Sequence, residues 1–241
     1  MTKSHFSSSR LHLIDLLIRT AIFLFVWYLA GFHRKILFDL GAASLAGIRV
    51  YQVLWLAVVL VILHAMLPVP GKNMSSGKLF ASRYQPSGPH TPELELKIRD
   101  YSRKMAVTAR RSVVFFAMLL LVPGALFVVG SIDTVSVILF SLFYLVGDAF
   151  CVSIWCPFRN WLAHNKCCNT CSIYSWGPIG VFGPLVFIPG FWTQSLAFLS
   201  FLALVQWEYL RIRHPERFFE LTNTNLRCSN CTGNRGSCLR T

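Results

Sequence analysis

All eight cysteines of this 241-residue chain fall after residue 150: Cys151, Cys156, Cys167, Cys168, Cys171, Cys228, Cys231 and Cys238. They are spaced as C-x4-C-P, then C-C-x2-C, then C-x2-C-x6-C. The two C-x2-C pairs, Cys168/Cys171 and Cys228/Cys231, are the most informative elements. Two intervening residues let both sulfurs of a pair converge on one ion in a tight turn, as in tetrahedral four-cysteine zinc sites. Iron–sulfur clusters use the same soft thiolate ligands. The residues leave four readings open: structural Zn2+, one or two iron–sulfur clusters, a thiol/disulfide redox role, or buried cysteines without metal. His164, between Cys156 and Cys167, is placed to replace one thiolate as a zinc ligand.

Other chemistry is sparser. Asp148 lies one helical turn before Cys151 on the same helix face, a proton or charge site or else a partner for Arg19 or Arg159. Ionisable groups at membrane depth are costly and tend to be functional. Glu208 is within reach of Arg211 or Arg213, an ordinary interfacial ion pair. His12 and His64 fall at similar depth near the ends of their spans, where a pair of imidazoles can hold haem b between two helices. The chain contains no P-loop, no G-x-G-x-x-G, no H-E-x-x-H and no G-x-S-x-G, so no catalytic constellation is recognised.

These residues must be positioned by helices that lipid surrounds. Apolar residues make up 54% of the chain and charged residues 14%, against about a quarter in soluble domains. That arithmetic excludes a disordered chain or a small secreted disulfide scaffold. Six spans are expected, because apolar stretches of about 17 to 25 residues cross a bilayer as helices. The first two, near 11–31 and 50–67, make a hairpin over 1–68. A basic loop with an amphipathic helix fills 69–111. The third and fourth spans occupy 112–155, with Pro123-Gly124 as a kink. A cysteine-rich loop covers 156–175. A fifth segment broken by Gly177, Pro178, Gly180, Gly183, Pro184, Pro189 and Gly190, either a kinked short span or a re-entrant loop, and a smooth sixth span cover 176–210; the charge balance favours the span. A basic tail with cysteines completes 211–241. Within 69–111, Pro70 to Pro92 reads as flexible, and Thr91-Pro92-Glu93 reads as a helix start with a capping hydroxyl and proline in the first turn. From there Leu94, Ile98, Tyr101 and Met105 share one face, suited to the membrane surface, to a partner subunit, or to an inward extension of the third span.

Charge sets the orientation. With both termini inside, every one of the 23 Lys and Arg residues is in an inner segment except Arg19, Arg34, Lys35 and Arg49. Basic residues in short loops mark the cytoplasmic side and meet anionic lipid headgroups there, so nucleic acid is not the expected partner. The same orientation puts the cysteines at one inner face, in a compartment where disulfides are disfavoured and metal thiolates persist. The expected location is the plasma (inner) membrane.

The stretch from Gly147 through Phe150, Cys151, Cys156 and Pro157 to Phe158 resembles the G-x-x-[FW]-C-x3-C-P element of polytopic membrane iron–sulfur proteins of nitrate and nitrous oxide reduction and oxidase assembly. Here four residues, not three, separate the two cysteines, and no C-x2-C-x2-C-x3-C-P run follows. The resemblance covers about a dozen residues. It implies cluster ligation by Cys151 and Cys156 where a transmembrane helix ends. The expected fold is an all-α integral membrane protein with a cysteine-rich metal-binding subdomain. Three functions are expected in order: an electron-transfer or accessory subunit in a redox membrane complex; a zinc-stapled scaffold or assembly protein; and a transporter with a site at the broken fifth span.

Overall fold

A computed structural model describes residues 3–45, 47–69, 74–89, 91–163, 168–227 and 230. It is all-helical apart from one two-stranded hairpin. In chain order the helices are α1 (Lys3–Phe32), α2 (Arg34–Ala42), α3 (Val50–Met66), α4 (Met74–Gly77), α5 (Pro92–Val128), α6 (Thr134–Ser153), α7 (Gly177–Phe182) and α8 (Phe191–Arg213). Four of them, α1, α5, α6 and α8, are long and apolar enough to cross a bilayer. Their surfaces are those of an inside-out protein: Phe25, Leu121, Phe143 and Phe198 are all more than half exposed. Water would penalise that much bare hydrocarbon.

The helices alternate in direction between two ends. At the hairpin end, β1 (Ser44–Leu45) pairs antiparallel with β2 (Ile48–Arg49), and Trp192 at the start of α8 packs edge-on against Tyr51 and Trp55 of α3. At the opposite, loop end, the Gln206 amide donates to the Met66 carbonyl at 3.0 Å, and the Ser153 hydroxyl donates to the His12 carbonyl at 3.0 Å. Thus α1 and α5 run toward the hairpin end, and α3, α6 and α8 run back.

Sequence chemistry explains the helix limits. Thr91 caps α5, its hydroxyl accepting from the Leu94 N–H at 3.3 Å, with proline in the first turn. The helix then runs unbroken for 37 residues, about 55 Å at 1.5 Å per residue. That exceeds a hydrocarbon core of about 30 Å, so the basic first half projects beyond it as an extension of the third span. Its predicted face is used: Ile98 and Met105 are buried and Tyr101 packs against the loop-end core. Pro123 stays inside the helix. The stop is a left-handed Gly130 (φ 78°), with the Ser131 N–H on the Leu126 carbonyl and the Gly130 N–H on the Phe127 carbonyl. Asp133 then caps α6, accepting from the Ser136 N–H at 2.9 Å.

Two segments differ from expectation. The second span is a helix of 17 residues, shorter than the four long ones. The fifth is α7 followed by a 3-10 stretch, Gly183–Phe187. Its glycines do more than break helix. A Cβ on Gly177 would lie 2.7 Å from the Asp148 carboxylate, one on Gly180 2.9 Å from the Phe116 ring, and one on Gly183 2.6 Å from Leu120. Glycine at every third residue lets this segment press onto α5 and α6.

Candidate metal centre

The segment of Cys168 and Cys171 enters the loop end as a 3-10 turn, Cys168–Thr170. Donors from three separate elements capture four consecutive carbonyls of this turn. Lys78, wholly buried, gives its ammonium to the carbonyls of Asn169 (2.7 Å) and Cys171 (2.6 Å). The Tyr101 hydroxyl reaches the Thr170 carbonyl at 3.4 Å, and the indole N–H of Trp207 donates to the Ser172 carbonyl at 2.6 Å. The Ser75 hydroxyl donates to Asn169 Oδ1 at 2.7 Å. The Lys78 ammonium also sits 5.4 Å from the Trp207 ring and 5.6 Å from the Phe218 ring, close enough for cation–π attraction. A buried backbone loop needs such donors, because an unpaired carbonyl away from water costs about 1–3 kcal/mol.

The tail is drawn to the same place. Tyr101 Oη also contacts the Phe218 carbonyl, at 3.0 Å, so one hydroxyl bridges the Cys168–Cys171 turn and the chain beyond α8. From there Asn223 Oδ1 accepts from the Gln85 N–H (3.3 Å), the Thr224 N–H donates to the Gln85 carbonyl (2.9 Å), and Asn225 donates to the Arg83 carbonyl (3.1 Å). Leu226 is buried, and Cys228 follows two residues later. Glu208 ties the turn to α8: one carboxylate oxygen accepts from the Trp176 indole at 3.0 Å, and the other takes Arg211 Nε and Nη2 at 3.0 and 2.5 Å. Arg211, rather than Arg213, is therefore its partner.

The expected ligands divide into two groups. Cys151, Cys156 and Cys171 border one cavity of about 580 Å³ between α3, α5, α6, α7 and α8. Cys171 is buried and the other two are half-buried. Cys167, Cys228, Cys231, Cys238 and His164 lie outside the described residues, and only the backbone of Cys168 is described. Among the described residues no cluster of three or more His, Cys, Asp or Glu side chains is arranged to hold a metal ion.

Asp148 takes the partner the sequence offered: Arg19 Nη1 lies 3.5 Å from its carboxylate, and Arg19 Nε is 3.0 Å from Asp15. His12 is on α1, which packs chiefly on α6, and the exposed His64 is on α3, which packs chiefly on α8. The two histidines thus stand on helices with different main neighbours.

Sequence reasoning missed Lys78, Tyr101 and Trp207 as the residues that build the cysteine turn. Lys78 sits in a Gly/Ser/Pro-rich stretch that reads as a solvated linker, yet Met74–Gly77 is helical there and largely buried. Its one local signal is the Leu79-Phe80 pair that follows. No family model, curated protein or solved structure matches the chain.

Proposed function

We propose that this protein is a six-pass integral membrane protein that holds a thiolate-bound metal centre, iron–sulfur or zinc, at its cytoplasmic face. In this reading it serves as an electron-transfer or accessory subunit of a redox membrane complex in the plasma membrane. Cys168, Cys171, Cys228 and Cys231 are the leading ligands, with Cys156, Cys167, Cys238 and Cys151 around them. The single observation that carries the reading is the Tyr101 hydroxyl, which touches carbonyls of both cysteine-bearing segments at 3.4 and 3.0 Å. Thr170 and Phe218, 48 positions apart in sequence, thus approach one point, which brings the start of the cysteine-bearing tail beside the Cys168–Cys171 turn, as a shared ion requires.

Six crossings are supported by the path of the broken fifth segment, which runs beside α8 from the loop end to the hairpin end. The chain from Trp176 to Ile188 runs along α8 from Glu208 to Thr193, about 22 Å of helix at 1.5 Å per residue. Six α-helical residues and five 3-10 residues rise about 19 Å together, so the tighter helix supplies reach that so short a segment would lack. The orientation follows from charge, since the described loop-end segments carry Arg83, Lys97, Arg99, Arg103, Lys104, Arg110, Arg211, Arg213 and Arg217. The transporter reading draws no support from the breaks in the fifth segment, because its glycines seat side chains of α5 and α6.

The test is metal content and an optical spectrum of protein purified from membranes without oxygen. Visible absorbance that bleaches on reduction identifies an iron–sulfur centre. Stoichiometric zinc without colour identifies the staple, for which the firm grip on the Cys168–Cys171 turn is the specific support. Cys171→Ser and Cys231→Ser each lower metal content at least several-fold, while His33→Ala at the hairpin end leaves it unchanged. Equal metal in all three variants, or none in the parent protein, removes the proposal.

A further inference from the structure

The cavity beside the cysteine turn opens sideways between α3 and α6, where Val61 is 69% exposed and Phe143 56% exposed. On the bilayer placement proposed above, this mouth faces hydrocarbon. The wall that α6 contributes runs from Phe143 to Val152, about 14 Å of helix, and Trp155 extends it at the loop end. The volume, about 580 Å³, is within the roughly 300–1,000 Å³ of pockets that enclose a small ligand.

Gly147 lies midway along that wall. A glycine inside a helix lowers its stability relative to alanine, and its usual use is to let another group come close. Gly177 and Gly180, which border the same cavity, have such neighbours: a Cβ on them would lie 2.7 Å from Asp148 and 2.9 Å from Phe116. A Cβ on Gly147 would meet nothing within 4 Å. Among the described residues, then, no side chain fills the room that Gly147 leaves, and that room belongs to the cavity. The lining is graded along the same axis. Hydroxyl and indole groups of Ser76, Ser175 and Trp155 border the loop end. Deeper in, Val61, Leu119 and Val181 make the wall hydrocarbon; Tyr144 is polar there, and the Asp148 carboxylate is paired with Arg19 at 3.5 Å. Trp155 also meets the largely exposed Trp161 edge-on, with ring centres 5.2 Å apart. Indoles gather at the head-group level of a bilayer, which sets the polar end of the cavity at that level.

We propose that this cavity binds one acyl chain of a phospholipid from the loop-end leaflet, with the head group beside Trp155 and Trp161 and the chain lying over Gly147 toward Phe143. The lateral mouth lets the head group stay in its own layer while the chain enters from the surrounding bilayer. A phospholipid reproduces the gradient of the wall, polar at the loop end and hydrocarbon below. In place, the chain covers the cavity side of Cys151 and Cys156, both half-buried, and keeps water from that side of the cysteine turn. The inference rests on the bilayer placement and not on the metal centre, so it and the metal reading can fail separately.

The experiment uses the full chain in proteoliposomes that contain a phosphatidylcholine with a diazirine at the middle of one acyl chain. Parallel vesicles contain an alkane of the same chain length with the same diazirine. Photo-labelling is read at Val181 and Ala203, buried side chains that border the cavity, and normalised to the exposed Phe25 of α1, which any surrounding lipid touches. The phospholipid labels Val181 and Ala203, and the alkane does so at least about fivefold less. Gly147→Phe, whose side chain starts in open space, lowers phospholipid labelling there at least about fivefold, as the loss of one or two buried methylenes would, and leaves Phe25 unchanged. If Phe25 changes as well, the variant has altered the fold, and Val61→Trp at the mouth decides by the same criterion. Absence of label at Val181 and Ala203, equal labelling by the alkane, or labelling that survives the blocked cavity overturns the assignment. Release of the protein from membranes by alkaline carbonate overturns it through the bilayer placement instead.

Discussion

The two ends of the bundle are closed by different physics. At the hairpin end, short turns, caps and side-chain edges suffice: a left-handed glycine, an aspartate cap, edge-on aromatic rings, and the half-exposed Arg34–Asp133 pair. None of these contacts buries a charged group. At the loop end, buried side chains reach across long stretches of sequence to hold main-chain carbonyls, as Lys78 does over 91 and 93 positions. An end that merely closes a bundle needs no wholly buried ammonium. The loop end has one, and its two hydrogen bonds fix the backbone of the cysteine turn.

The largest effect expected is therefore at Lys78. Lys78→Met keeps the aliphatic stem but removes the ammonium that donates to the Asn169 and Cys171 carbonyls. At about 1–3 kcal/mol for each buried hydrogen bond lost, less the relief of no longer burying a charge, the loss is about 2–4 kcal/mol. Thermal unfolding in detergent micelles measures it. Cys171, buried in the parent protein, also becomes reactive toward a maleimide at least tenfold faster. A variant as stable as the parent, with Cys171 still protected, would show that the loop end is held by packing alone.

Much of this fold was legible in the sequence, and the reasons it was not elsewhere are physical. Apolar length gave α1, α6 and α8, and the Thr91-Pro92-Glu93 start gave the first residue of α5, because capping and burial in lipid are local properties. The pairing of Glu208 with an arginine one turn away was legible for the same reason. The grip on the cysteine turn was not. Lys78 and Cys171 are distant in sequence, and nothing local distinguishes a lysine that will be buried from one in a solvated linker. The glycines of the fifth segment were read as breaks because composition reports what they prevent; only the packed structure reports what they admit.

A second comparison concerns those glycines and lies midway in size. A methyl group on Gly124 of α5 would lie 2.2 Å from the Phe187 ring. Gly124→Ala gains about 1 kcal/mol of helix propensity but displaces that ring, at about 1–3 kcal/mol for overpacking. The expected net loss is about 1 kcal/mol. Combining it with Phe187→Ala removes the clash, so the double variant is more stable than the sum of single effects predicts. Simple additivity would mean the close approach of the 183–187 stretch to α5 is incidental.

The hairpin end offers a loss of similar size and, at Arg34, the smallest of all. Asp133→Ala removes the cap of α6 and costs about 1 kcal/mol, whereas Arg34→Ala breaks only a half-exposed pair and costs less than about 0.5 kcal/mol. The two are separable by pH. Hydrogen bonds from the Ser136 hydroxyl and N–H, helped by Arg34, hold the Asp133 carboxyl below its ordinary value. A carboxylate depressed in the folded state stabilises it fully above the unfolded pKa, near 4, and progressively less as pH falls through the folded one. The stability gap between the parent and Asp133→Ala therefore holds from pH 7 to about 5 and narrows below about 4. Arg34→Ala, which leaves the larger Ser136 contribution intact, should keep most of that acid-dependent slope. Loss of the slope in Arg34→Ala would assign the cap's strength to the ion pair, and the hairpin end would then depend on charge as the loop end does.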